Sequence, residues 1–175
     1  AYRALVEFYK KGIVKAIGVS NFLNDRLYDL YLHFDVPPMV NQIECHPHYQ
    51  RIEELSFLTK LNIQLEGWAP FSEGMKGMFE EPILKELAAK HQKSVAQIIL
   101  RWNIQRRIIT IPKTVHENRM EENMAVFDFE LDLEDMNKIA SLNRNIPSML
   151  DVTKIEEIKR IYHYLDNPIL TTLKE

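Results

Sequence analysis

Hydrophobic positions along this chain switch repeatedly between a helical and a strand-like period. Near the start, Leu5, Phe8 and Tyr9 fall at i, i+3 and i+4, an apolar stripe of helical spacing. No capping residue precedes the stripe, so Ala1 is expected inside the helix, as in a fold that begins earlier. Gly12 closes it, glycine being common just past a helix end. "IVKAIGV" then reads as a parallel strand buried on both faces, rich in β-branched residues. Asn24 is expected to cap a second helix, "DRLYDLYLHF", which stops before Pro37-Pro38. "MVNQIEC" predicts a strand, "RIEELSFLTKL" a helix and "IQLEGW" a third strand. "FSEGMKGMFEEP" breaks the pattern and holds two of the five glycines, a candidate functional loop. The helices "PILKELAAKH" and "SVAQIILRWNIQ" follow, the second capped by Ser94. "RIITIP" predicts a fourth strand, and "TVHENRMEEN" and "LEDMNKIASL" two more helices. The tail from Asn143 is more polar and carries a helix-like "VTKIEEIKRIYHYL".

Strands therefore open near Val14, Met39, Ile63 and Ile108, the first three about 25 residues apart, one βα unit each. Such an order allows a doubly wound sheet or a (β/α)8 barrel. No GxGxxG follows a strand, which counts against the dinucleotide-binding doubly wound fold. In a barrel, ligands sit at the C-terminal ends of the strands.

Composition narrows this little. The 175 residues are 46% apolar and 27% charged, ordinary for a globular domain. A net charge of −3 offers no general attraction to nucleic acid or to an anionic membrane. One cysteine, Cys45, cannot form an internal disulfide, so a reducing, cytoplasmic setting is expected. No apolar run approaches the roughly 20 residues that span a bilayer. "ECHPHYQ" gathers Cys45, His46 and His48, but a structural zinc site needs about four ligands, and no metal is expected.

The strand ends carry the candidate chemistry. The first strand runs into Ser20-Asn21, residues that suit a turn as well as a ligand site. Gln42 holds the corresponding place on the second strand and can donate and accept toward an uncharged amide. Trp68 ends the third and offers a flat face to a ring. After the fourth, Thr114 and Glu117 are expected to form a capping box at a helix start, where free N–H groups bind phosphate, with Lys113 and Arg119 beside it. An amide site, a stacking ring and a monophosphate site together suit a nicotinamide dinucleotide bearing a 2′-phosphate.

These residues lie in stretches that resemble the aldo-keto reductases. "LVEFYKKGIVKAIGVSNF", "VNQIECHPHYQ" and "IPKTVHENRMEENMAV" resemble motifs of the second half of that family's barrel, in order, over about residues 1–143. The resemblance implies a TIM-type (β/α)8 barrel, here about four βα units, that binds NADPH. It implies that Ser20, Asn21 and Gln42 hold the nicotinamide carboxamide and that Trp68 stacks on the ring. Lys113 and Thr114 would hold the 2′-phosphate, Arg119 would pair with that phosphate or cover the adenine, and Glu122 and Asn123 would meet the adenine edge. The pyrophosphate would lie under the loop from Ala69 through Phe71-Ser72. That loop departs from the family's usual "SPL": Ala69 replaces a small hydroxyl and Phe71 an aliphatic, and Glu73 adds a carboxylate.

The family's catalytic Asp, Tyr, Lys and His belong to the first half of the barrel, so the resemblance implies no catalytic residue in this chain and no reductase activity for it alone. Two readings follow. One is part of an NADPH-dependent reductase of aldehydes or ketones, with residues 1–142 as the half-barrel and 143–175 as a tail that lines the substrate pocket. The other is a non-catalytic half-barrel that binds nucleotide or protein. In either, the open sheet edges are expected to need the other half or self-association.

Overall fold

The computed structural model describes residues 1–74 and 77–166. Met75 and Lys76 of the candidate loop, and residues 167–175 of the tail, lie outside the described residues.

Four parallel strands form one sheet: β1 (Gly18–Ser20), β2 (Val40–Glu44), β3 (Gln64–Trp68) and β4 (Ile109–Thr110). Their order is sequential, β1-β2-β3-β4. Helices α2 (Asn24–His33) and α3 (Ile52–Lys60) return the chain between the first three strands. Leu27 of α2 and Leu58 of α3 share one buried cluster with Ile43, Leu65 and Ile108, so both helices cover the same face. Sequential order with crossovers on one face is the winding of a (β/α) barrel; a doubly wound sheet reverses strand order and covers both faces.

The expectation that "IVKAIGV" is buried on both faces does not hold: Ile17 is buried, but Ile13, Lys15 and Ala16 are exposed. Alternation sends Ile43 and Leu65 to the helices and Gln42, Gln64 and Glu66 to the opposite face, where each is only half-buried. β1 and β4 are also shorter than predicted. Exposed Ile13 and a run without ladder pairing precede Gly18, although Met39 N donates to Ile17 O at the start of the sheet.

Helix α1 (Tyr2–Lys10) begins after Ala1, which stands at its N-cap rather than within it. Gly12 follows it with φ +70, the left-handed geometry that glycine adopts freely. Asn24 is the first helical residue of α2 and not its cap; Leu23 holds that position. The candidate loop folds into two short 3₁₀ turns, Ser72–Gly74 and Met78–Glu80. Helices α4 (Pro82–His91) and α5 (Val95–Gln105) follow as read, with Ser94 and Gln97 in a reciprocal capping box. With α7 (Leu133–Ala140) they build a second core around Leu87, Ile98, Trp102 and Ile139.

Helix α6 (Glu117–Met124) starts later than expected. The Thr114–Glu117 capping box does not form: His116 is the N-cap, and its N–H donates to Thr114 Oγ1 at 3.1 Å. A threonine hydroxyl satisfied two residues on makes a turn and leaves none for a helix three residues away. Helix α8 (Ile155–Asp166) ends the described chain.

Candidate functional site

Parallel pairing brings the polar strand residues level. Ser20 is opposite Gln42, Gln42 opposite Glu66, and Glu66 opposite Ile109. Gln42 lies inside β2 rather than at its end, because Ile43 and Glu44 continue the ladder against Gly67 and Trp68. The strands are parallel, so Ser20, Trp68 and the segment after Thr110 leave the sheet at one end.

At that end the chain turns sharply. Asn21 has φ 58, a left-handed conformation that asparagine tolerates, and its N–H donates to Gln42 O at 2.9 Å. Ser20 Oγ donates to the same carbonyl at 3.1 Å. Trp68 Nε1 donates to Asn21 Oδ1 at 2.9 Å, which fixes the half-buried indole at the mouth of the sheet. Gln42 Nε2 donates to Glu66 Oε1 at 2.5 Å.

Ala69, Ser72 and Glu73 follow Trp68 with φ of 49, 49 and 52. Left-handed backbone at such residues costs on the order of 1–3 kcal/mol each, and it concentrates where a loop serves a ligand. Ser72 is fully buried and its Oγ has no hydrogen-bond partner among the described residues.

Beyond this loop lie two adjoining cavities that share Phe71, Phe79, Lys113 and Arg119 as walls. One, of about 280 Å³, adds Thr114, Glu122, Asn123 and the start of α5 at Ser94 to Ala96. The other, of about 690 Å³, adds Ala69, Glu73 and Ile111. Lys113 and Arg119 are exposed, and neither has an ion-pair partner among the described residues. Phe71 and Phe79 meet with ring centroids 5.6 Å apart.

Of the residues singled out from sequence, Ala69, Phe71, Lys113, Thr114, Arg119, Glu122 and Asn123 thus line this paired cleft. Ser20 and Gln42 line a separate, shallow concavity with Glu66. Asn21 joins Trp68 by a hydrogen bond, and Ser72 lies buried beneath the loop. Glu66, Phe79 and the start of α5 were not assigned to a site from sequence, although Phe79 lies in the candidate functional loop. Alternation along "QLEGW" puts Glu66 on the face of Gln42 once the register is known; nothing in the sequence aims Phe79 or Ser94 at the cleft.

The "ECHPHYQ" run is occupied otherwise. His46 Nε2 is 3.0 Å from Glu44 Oε1, and His48 Nε2 is 3.0 Å from Glu81 Oε2. Cys45 is fully buried, and burial pushes its thiol up to about 11, away from nucleophilic use at neutral pH. Among the described residues, no group of three or more His, Cys, Asp or Glu is placed to hold a metal ion, and no helix is long and apolar enough to cross a membrane.

The profile of the Aldo/keto reductase family matches residues 1–144. This chain belongs to the aldo-keto reductase family. Glyoxal reductase of Bacillus subtilis (strain 168) is 45% identical over 144 residues, 82% of this chain and 51% of that protein. The crystal structure of MGS-M4, an aldo-keto reductase from a Medee basin deep-sea metagenome library, aligns with a TM-score of 0.81 at 43% identity, covering 83% of this chain and 54% of that one. A Bombyx mori aldo-keto reductase in complex with NADP aligns with a TM-score of 0.80 at 31% identity, over 87% and 52%. The chain spans about half the length of the relatives it matches.

Proposed function

We propose that this chain is the cofactor-holding second half of a (β/α)8 barrel in an NADPH-dependent reductase of small aldehydes or ketones. The observation that carries the reading is the convergence of Lys113, Thr114, Arg119, Glu122 and Asn123 with Phe71 on one cleft. These residues fit the group. Two cations without an ion-pair partner among the described residues suit a 2′-phosphate, which is close to a dianion at neutral pH. The buried Ser72 Oγ, without a partner among the described residues, is available under the strained loop for the pyrophosphate. Asn21 and Gln42 suit the carboxamide, and Trp68 is held ready to stack on the ring. The cofactor, when bound, supplies hydride; this chain's residues bind and orient it. The proton donor that the carbonyl oxygen needs belongs to the other half of the barrel, so the chain alone has no reductase activity. Small aldehydes as substrates are supported by the glyoxal reductase among its relatives, and the tail after Asn143 is a candidate specificity element.

The test compares binding of NADP⁺ and NAD⁺ in Lys113→Met and Arg119→Met. Hydrogen bonds to charged groups contribute about 1.5–3 kcal/mol each, so two give roughly 10²-fold or more preference for NADP⁺. The double variant should lose that preference while NAD⁺ binding barely moves. Equal weakening of both cofactors would assign these residues to the fold instead.

A further inference from the structure

Glu66 has no part in the reading above, yet it determines how Gln42 presents itself. An ionised carboxylate accepts hydrogen bonds and donates none, so the end of Gln42 that meets Glu66 Oε1 is its Nε2, and the outward end is the carbonyl Oε1. The same reasoning applies to Asn21. An indole N–H only donates, so the atom that meets Trp68 Nε1 is Oδ1, and the remaining end is the Nδ2 donor. Neither outward end has a partner among the described residues, and neither is buried. The backbones of Asn21 and Gln42 are adjacent, since Asn21 N donates to Gln42 O.

The two side chains therefore offer one acceptor and one donor. A primary carboxamide offers the complement, an NH₂ for Gln42 and a carbonyl for Asn21. A carboxylate in that place would set oxygen against the Gln42 carbonyl and bring a second negative charge toward Glu66. We propose that Glu66 is a positioning residue that orients the Gln42 amide, so that this end of the sheet accepts a primary carboxamide and rejects the corresponding acid. Trp68 sets Asn21 to the same pattern. The inference rests on the NADPH reading and adds its ring specificity.

Calorimetric titration of the intact protein tests it with three probes: NADP⁺, its nicotinic acid analogue, and 2′-phospho-ADP-ribose, which lacks the ring. The unaltered protein should bind NADP⁺ at least about tenfold more tightly than the acid analogue, because a site that pairs an N–H group leaves its acceptor unmatched by the acid. Glu66→Leu frees Gln42 to rotate and should bring the two within about twofold, with 2′-phospho-ADP-ribose binding unchanged. Glu66→Gln adds an N–H donor that can pair with Gln42 Oε1, so it no longer dictates which end faces outward and should also lose most of the preference. The proposal is overturned if Glu66→Leu leaves the ratio intact, or if it weakens 2′-phospho-ADP-ribose by the same factor as NADP⁺. Equal binding of amide and acid by the unaltered protein overturns it too, while leaving the phosphate site standing. Failure of all three probes to bind the unaltered protein would remove the NADPH reading, and this inference with it.

Discussion

His46 Nε2, Ser148 N and Met149 N converge on the buried carboxyl of Glu44 at 3.0, 2.7 and 3.4 Å. Burial by itself would raise the carboxyl, but the bonds from His46 and from the two backbone N–H groups outweigh it and hold Glu44 below the usual carboxylate range. A depressed carboxyl stabilises the fold fully above the unfolded value, roughly pH 4.3, and loses that contribution as pH falls through the folded one. Glu44→Gln should therefore cost about 1.5–3 kcal/mol at pH 7, and the gap to the unaltered protein should close below about pH 4. Urea unfolding at a series of pH values reads this; a gap that stays constant into acid would show that the charge of Glu44 holds nothing. The carboxyl was not legible as an anchor in the sequence. Its N–H partners lie 104 and 105 residues away, and backbone donors leave no mark in side-chain patterns.

Among the elements, β1 depends on a single residue without a side chain. A Cβ on Gly18 would lie 2.5 Å from Val40 O and 3.0 Å from Val40 Cβ. Backbone cannot move aside as a flexible side chain can, so Gly18→Ala should destabilise by about 1–3 kcal/mol and loosen the β1–β2 pairing that levels Ser20 with Gln42. Thermal unfolding combined with hydrogen exchange at Val19 and Asn41 checks it, and unchanged stability would contradict it. Most elements were legible because their periods are clean: α4 and α5 begin and end where Pro82, Ser94 and the apolar spacing place them. Thr114 misled because its hydroxyl found a nearer N–H, that of His116. Asp132, which caps α7 in a box with Asp135, was missed because the helical stripe draws the eye to Leu133. The polar face of the sheet was hidden by apolar residues outside the paired strands, such as Ile13 and Ile63.

At the scale of the molecule, the sheet level and the paired cleft form two clusters joined through Trp68 and Ala69. Strand-end residue types pointed to Ser20, Trp68 and Lys113, whereas Ala69, Phe71, Glu122 and Asn123 came only with the family resemblance. The cleft's far wall, Phe79 and the start of α5, was not legible, because tertiary packing rather than spacing carries it there. In the proposed function, one dinucleotide spans both clusters, with its ring at Gln42 and its 2′-phosphate at Lys113. Titration of the ¹⁵N-labelled protein with NADP⁺, followed by amide chemical shifts, tests this most directly. The Asn21 and Gln42 side-chain amides, the Trp68 indole N–H and the backbone from Lys113 to Asn123 should all shift along one saturation curve. Shifts confined to Lys113–Asn123, with the Gln42 and Trp68 signals unmoved at saturation, would contradict it.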